Sequence, residues 1–197
     1  MDSYFLIITA GFLGKTEKAK KGAINRQKAK NHVERGIVDT EQGELELAWM
    51  SFDKAIALDP NYALAYFLRG VTYKEQGEIE LALTDFDRSI NLDPDDAKPF
   101  LFRGIIYSQQ QQLELALTDF NRAISLEPDN ADAYYNRGLI YAEIGNLNLA
   151  LTNFNRAISL EPNEVKAYLS SGMIYAHLGN FEAAKTNLRQ AEQLSIA

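Results

Sequence analysis

Few residues of this chain have the types and spacing that catalysis or metal binding would need. There are two histidines, His32 and His177, and no cysteine. Neither histidine has the close histidine or cysteine neighbours that a zinc site requires. The 27 acidic residues recur at regular intervals, as helix caps and solvent-exposed faces do, and no nucleophile–base arrangement can be identified. We therefore expect no metal, no cofactor and no enzymatic activity.

One short motif resembles part of a phosphate-binding loop. Gly14-Lys15-Thr16 matches the last three residues of the pattern GxxxxGK[ST]. That pattern also needs a glycine five residues before Gly14, where this chain has Thr9. It further needs an α/β domain, whereas the pattern of this chain from residue 29 onward is that of helical repeats. We therefore expect no nucleotide binding.

The charge of the chain is unevenly distributed. The 197 residues carry a formal net charge of −7 and are 46% hydrophobic, which is typical of a folded protein. Residues 1–30 are basic, with a net charge of +5, and residues 31–197 are acidic. An acidic body lacks the lysine- and arginine-rich face that nucleic acid requires, so a nucleic-acid partner is not expected.

The prolines reveal an internal repeat. Pro60, Pro94, Pro128 and Pro162 follow one another every 34 residues, and a fixed spacing of this size is typical of solenoid proteins. With each proline at position 32, the repeats are 29–62, 63–96, 97–130, 131–164 and 165–197. Residues 1–28 then form an N-terminal extension, and residues 29–197 form one repeat domain.

The repeats agree at positions that form helix stripes. Positions 4, 8 and 11, and likewise 20, 24 and 27, follow the i, i+4, i+7 spacing of one helix face, which predicts two helices per repeat. Position 8 is always glycine, at Gly36, Gly70, Gly104, Gly138 and Gly172. Position 24 is aromatic in four repeats, at Phe52, Phe86, Phe120 and Phe154, and is Leu188 in the fifth. We expect the small residues to let the paired helices approach while the aromatic rings fill the space beside them.

Further glycines break the chain between the two helices of a repeat. They are Gly43, Gly77, Gly145 and Gly179, and repeat three has Gln111 at this position. Between repeats, Asp96 and Asn130 stand where the next helix begins and are suited to cap it. Arg69 and Asp85, like Arg103 and Asp119, lie at positions 7 and 23 of one repeat, so a salt bridge is expected, worth about 0–1 kcal/mol if exposed.

These columns of aromatic, Gly, Tyr, Ala, Phe and Pro residues resemble those of the tetratricopeptide-repeat (TPR) family. The resemblance covers residues 29–197 and implies an all-α fold, a right-handed superhelical solenoid of five helix-turn-helix repeats preceded by the apolar and basic extension. It also implies partner binding without chemistry, in a concave groove lined by the first helix of each repeat. Repeat one departs most, with His32 at position 4 and Asp39 at position 11, and we expect that repeat to tolerate water.

The resemblance also predicts which residues line the groove, and apolar side chains dominate among them. The predicted partner-binding residues are Phe67, Leu68, Val71, Lys74, Leu101, Phe102, Ile105, Tyr135, Asn136, Leu139, Leu169 and Met173. Position 9 has no asparagine and position 5 no lysine, so capture of an acidic C-terminal tail is not expected. An alternative is that some of these residues only pack neighbouring first helices together. The leading hypothesis is an adaptor that binds an apolar peptide or an amphipathic helix.

The N-terminal segment admits several hypotheses. Residues 3–13 are apolar but too short to span a bilayer, and a basic helix from about Thr16 to Val38 is expected to follow. The segment could cover repeat one, insert into the protein's own groove or into a partner, or attach the protein to an anionic membrane. The last alternative would make the chain a membrane-associated assembly factor, peripheral to a membrane, in place of a purely cytoplasmic adaptor.

The last repeat carries charge where the others are apolar. Position 21 is Trp49, Leu83, Leu117 or Leu151, and position 28 is isoleucine, until Lys185 and Glu192 replace them in repeat five. Because a charged stripe cannot bury against a further repeat, we expect the stack to stop there. Assembly through the C-terminal end is accordingly not expected.

Overall fold

The computed structural model describes the backbone of residues 2–196 and the side chains of residues 20–196. Over residues 2–196 it contains ten α-helices and no strand, which confirms the all-α expectation. They are α1 (Asp2–Glu41), α2 (Leu45–Leu58), α3 (Ala63–Glu75), α4 (Ile79–Leu92), α5 (Ala97–Gln109), α6 (Leu113–Leu126), α7 (Ala131–Glu143), α8 (Leu147–Leu160), α9 (Val165–His177) and α10 (Phe181–Ile196).

The first helix differs from the sequence expectation. A helix from about Thr16 was predicted, but α1 begins at Asp2 and ends at Glu41, so the predicted boundary between residues 28 and 29 falls inside one helix. The sequence pattern did not predict a helix before Thr16, because the apolar run of the first residues has no polar face by which a helical spacing could be recognised. The side chains of the apolar segment 3–13 and of Lys15 lie outside the described residues.

The chain divides into two compact units, Met1–Pro94 and Asp95–Ala197. In the first unit α1 packs on α2, α3 on α4, and α2 on α3. In the second unit the pairs are α5 with α6, α7 with α8 and α9 with α10, and the second helix of each pair contacts the first helix of the next. The expected pair of helices in each repeat is thereby confirmed.

Close helix approach depends on the glycines at position 8. A Cβ atom added to Gly70 would lie 2.8 Å from Phe86 Cε1, and one added to Gly138 would lie 2.7 Å from Phe154 Cε1. Both phenylalanines are fully buried. The predicted division of labour between small residues and aromatic rings is confirmed, since a methyl group would occupy space that the ring already fills.

The hairpin turns use the left-handed backbone region. Gly77 adopts φ +81° and Gly145 φ +80°, as their lack of a Cβ allows. In repeat three Gln111 adopts φ +60° at the same place, so the turn keeps its geometry and the glutamine bears the strain. The turns between repeats also follow expectation, because the side chain of Asp96 accepts a hydrogen bond from the Lys98 backbone at 3.0 Å and that of Asn130 from Ala133 at 2.9 Å.

Candidate protein-binding surfaces

A buried ion pair fixes the first helix of repeat two against its partner helix. Arg69 Nε donates to Asp85 Oδ2 at 2.7 Å and Nη2 to Oδ1 at 2.8 Å, and Asp85 is only 3% exposed. The hydrogen bond to Asp85 raises the pKa of Arg69, outweighing its burial, which acts in the opposite sense. The predicted pair is confirmed, but the small value for an exposed pair does not apply because the carboxylate is buried.

The same arginine also ties repeat two to repeat one. Arg69 Nη1 donates to Asp53 of α2 at 2.7 Å, and its guanidinium lies 5.7 Å from the ring centres of Tyr66 and Tyr73. Position 7 of a repeat therefore faces the second helix of the repeat before it. Cation–π contacts and hydrogen bonds together orient α3.

Equivalent contacts recur in the second unit. Arg103 binds Asp119 through Nε and Nη2 at 2.8 and 2.7 Å. Arg137 donates to Asn153 of its own repeat at 2.8 Å and to Asn121 of the preceding repeat at 2.7 Å. The first helices α5 and α7 are thus held against their partner helices in the same manner as α3, whereas α9 carries Ser171 at position 7.

In the first unit, the predicted groove residues surround an apolar cavity. Leu68 and Val71 are half-buried and line a cavity of about 150 Å³ together with Ile37 of α1, Thr40, Glu41, Phe52 and Thr72. Phe67 is buried, with its ring centre 6.0 Å from that of Phe86, and Lys74 is half-buried. The structure therefore brings Leu68 and Val71 together, while Phe67 belongs to the hydrophobic core.

In the second unit, a similar cavity lies between repeats four and five. It measures about 190 Å³ and is lined by Leu139, Ala142, Phe154, Ser170, Met173 and Ile174. Met173 is 68% exposed, Leu169 42% and Leu139 38%, which makes this the more accessible of the two surfaces. Among the other predicted residues of this unit, Leu101 is buried, and Phe102, Ile105, Tyr135 and Asn136 are half-buried.

Charged and polar groups border the cavity of the second unit, because Tyr135 Oη lies 3.5 Å from Oγ of Ser170, which lines the cavity. Lys166 Nζ donates to Asp132 Oδ1 at 2.8 Å and lies 5.0 Å from the ring centre of Tyr135. Burial lowers the pKa of Lys166, but the hydrogen bond to Asp132 and the nearby carboxylates outweigh it, so the pKa is raised. The lysine is thus held as a cation beside an aromatic ring. Asn136 instead binds the carbonyl oxygen of Asp132 in its own helix.

Repeat one contains an arrangement that the sequence analysis missed. Repeat one as a whole was expected to tolerate water because of its polar residues, but this does not hold at Asp39, which is 1% exposed. Its carboxylate accepts from Arg35 Nε at 2.8 Å and from Ser51 Oγ at 3.3 Å. In repeat one the acidic partner of the arginine at position 7 therefore stands at position 11 and not at position 23. The sequence signal for this arrangement is a pair of departures from the repeat pattern, Asp39 at position 11 and Ser51 at position 23.

The residues described in the structure hold no group of three or more His, Cys, Asp or Glu side chains able to bind a metal ion. Within the same described residues, no helix is long and apolar enough to cross a membrane. Lys185 and Glu192 are both exposed. What the described residues present are paired helices with apolar surfaces between consecutive repeats.

Helix pairs that stack in sequence and display such surfaces define a helical-repeat scaffold. Family models described as "TPR repeat" match residues 36–77 and 104–145, and models of the "Tetratricopeptide repeat" match residues 63–96, 131–164 and 165–195. The chain belongs to the tetratricopeptide-repeat family. Members of this family are generally non-enzymatic scaffolds for protein interaction, and this chain has the fold of such a scaffold.

Solved structures support the same assignment. MamA is 26% identical with a TM-score of 0.72, over 81% of this chain and 94% of that chain. YrrB, a TPR protein with an unusual peptide-binding site, is 26% identical with a TM-score of 0.67, over 93% of this chain and 91% of that chain. The protein pilF of Pseudomonas aeruginosa, 19% identical, shares the fold with a TM-score of 0.81, over 86% and 77% of the two chains. No curated protein matches the sequence.

Proposed function

We propose that this protein is an adaptor that binds an apolar peptide or amphipathic helix of another protein on the surfaces of its first helices. The observation that carries the proposal is the accessible apolar surface of Leu139, Leu169 and Met173 beside the cavity between repeats four and five. Apolar surface left exposed beside a cavity, with polar groups at its border, is typical of a binding site.

The recurrence of the cavity supports the proposal. Ile37 and Thr40 of repeat one and Leu68 and Val71 of repeat two line the cavity of the first unit. They occupy positions 9 and 12 of one repeat and 6 and 9 of the next. Leu139, Ala142, Ser170 and Met173 occupy the same four positions in the second unit. Each cavity therefore forms where two consecutive repeats meet. An apolar cavity of about 150 Å³ is large enough to hold a benzene ring.

The border of the second cavity indicates what else a partner should carry. Lys166 is paired with Asp132 and stacked on Tyr135, so it is held in place before a partner arrives. A peptide with apolar side chains for the cavity and a polar or acidic group for Lys166 fits this surface. The peptide-binding site of YrrB supports a peptide as the partner.

Selection from a displayed library of random short peptides tests the proposal. The immobilised full-length protein should enrich peptides with apolar residues at spaced positions, and binding should be lost when Met173 is replaced by glutamate. The control is Leu149→Glu, because Leu149 is also an exposed apolar residue but does not line the cavity. Enrichment of peptides that bind both variants equally would overturn the assignment of this surface.

A second candidate function is supported by the exposed basic part of α1. Lys20, Lys21 and Lys28 are all exposed, and they follow the apolar segment 3–13 in the sequence. Lysines behind an apolar tip suit an anionic membrane surface. Under this alternative the protein is a membrane-associated assembly factor.

Co-sedimentation with phosphatidylcholine vesicles that contain phosphatidylserine tests this alternative. The full-length protein should sediment with them at low salt, and the charge reversal Lys20→Glu with Lys21→Glu should release it. Lys54→Glu with Lys185→Glu is the matched control, since it changes the net charge equally at exposed lysines elsewhere. Absence of sedimentation by the full-length protein would exclude the membrane alternative.

A further inference from the structure

The face of repeat one formed by α1 and α2 is open in the described residues and holds a cavity of about 240 Å³. The cavity is lined by His32, Arg35, Asp39, Leu47, Met50, Ser51 and Lys54, and we call this surface the repeat-one end face. We propose that it binds an acidic amphipathic helix of another protein, as a second binding surface separate from the cavities between repeats.

The inner repeats show what covers the equivalent surface. Position 7 of repeat two, Arg69, donates to Asp53 on the preceding second helix at 2.7 Å. Position 7 of repeat four, Arg137, donates in the same way to Asn121. In both described cases the covering element is a helix that presents an acidic or amide side chain at position 25 to the arginine.

Apolar residues flank that polar side chain on the covering helix. Around Asp53 they are Trp49 and Ile56, and around Asn121 they are Leu117 and Ile124, all of them half-buried. These residues follow the i, i+4, i+7 spacing of one helix stripe. A helix that covers repeat one should therefore present an apolar, an acidic and an apolar residue at this spacing.

The arginine of repeat one retains donors for such a carboxylate. Arg35 donates to Asp39 through Nε alone, and no described residue accepts from its Nη atoms. Its side chain is 66% exposed, in contrast to 16% for Arg69. Because Asp39 is buried and bound by Arg35 and Ser51, the accessible charges of the end face are those of Arg35 and Lys54, which favour an acidic partner.

Charge also argues that the partner is not α10 of a second copy. At the positions that correspond to Trp49, Asp53 and Ile56, α10 carries Lys185, Arg189 and Glu192, and all three are exposed. Copies stacked end to end would place Arg189 opposite Arg35. Like charges at this point would oppose such assembly, so the occupant is a helix with the opposite charge.

The sequence of α2 provides a defined probe, since α2 is the helix that covers repeat two. Fluorescence anisotropy should detect saturable binding of a labelled, helix-stapled peptide of residues 45–58 to the full-length protein. Arg35→Glu should weaken binding about tenfold, and a peptide with Asp53→Lys should recover most of that loss on the Arg35→Glu protein. Recovery by charge exchange would show that the two side chains meet.

A second variant keeps the test valid if Arg35→Glu disturbs the buried Asp39. His32→Glu should also weaken peptide binding, because His32 lines the cavity and its equivalent Tyr66 contacts Pro60 of the preceding repeat. Leu115→Glu, which adds a negative charge at an exposed residue outside the end face, should not. Met173→Glu should leave this binding unchanged, which separates the end face from the cavity between repeats four and five. No saturable binding, or equal affinity of the His32→Glu and Leu115→Glu proteins, would overturn the proposal.

Discussion

Gly70 lies so close to Phe86 that a methyl group at Gly70 would stand 2.8 Å from the ring. The same relationship joins Gly104 to Phe120 at 2.8 Å. The two helices of repeats one to four are therefore spaced by a glycine facing a buried phenylalanine, whereas Gly172 of repeat five faces Leu188. This spacing sets the surface that the first helices present.

Gly70→Ala should lower the free energy of unfolding by about 1–3 kcal/mol, the usual cost of overpacking. Gly22→Ala is the matched control, because nothing lies within 4 Å of an added Cβ there, and alanine should stabilise the exposed helix by about 0.5–1 kcal/mol. Urea denaturation followed by circular dichroism measures both changes. Equal effects of the two substitutions would contradict the role given to the Gly70–Phe86 contact.

Ser171→Ala should increase stability by about 1 kcal/mol, since it removes a buried hydroxyl that has no hydrogen-bond partner among the described residues. Ser89→Ala is its counterpart at equal burial. The Ser89 hydroxyl donates to the carbonyl oxygen of Ala63 at 3.1 Å, so its removal should cost about 1 kcal/mol. Thermal unfolding of the two variants should shift in opposite directions, and shifts of the same sign would refute this expectation.

Gln111→Gly should stabilise the protein by about 1 kcal/mol, because it relieves a left-handed backbone at φ +60°. The neighbouring substitution Gln110→Gly should destabilise by a similar amount, since φ there is −84° and glycine would only add backbone freedom. Both side chains are exposed, so the comparison isolates the backbone term. Urea midpoints would reveal the difference, and a loss of stability in Gln111→Gly would show that the side chain contributes more than the turn.

Asp85→Ala should cost about 3 kcal/mol, because it leaves the Arg69 guanidinium without its buried partner. Asp53→Ala removes the other carboxylate bound to Arg69. Because the side chain of Asp53 is 58% exposed, its loss should cost no more than about 1 kcal/mol. The two variants share one arginine and differ mainly in the burial of the acid. Comparable losses of stability in chemical denaturation would argue against burial as the deciding factor.

The helix pairs could be predicted from the sequence because their evidence recurs. Five glycines at position 8 and four phenylalanines at position 24 define helix stripes without any knowledge of the fold. The Arg69–Asp85 pair followed from the same register. The burial of this pair could not be predicted in that way, because burial depends on which residues surround the carboxylate, and the spacing of residues along the sequence does not specify them.

Departures from the repeat were harder to interpret. Considered alone, Asp39 indicates a surface that is open to water. Only its contacts with Arg35 and Ser51 show that the acidic partner of the arginine lies on the first helix of this repeat and not on the second. Likewise, Phe67 and Leu101 share groove positions with exposed residues, yet both are buried. The groove assignment itself stays a prediction, since side-chain accessibility differs between repeats that have the same pattern.

The most direct test of the central claim is the affinity of one selected peptide for two matched variants. Leu169→Glu changes an exposed leucine in the predicted groove, and Leu149→Glu changes one that is equally exposed on a second helix. Calorimetric titration should give a Kd at least about tenfold weaker for Leu169→Glu, with Leu149→Glu matching the unmodified protein. Equal Kd values for the two variants would contradict binding on the surface of the first helices.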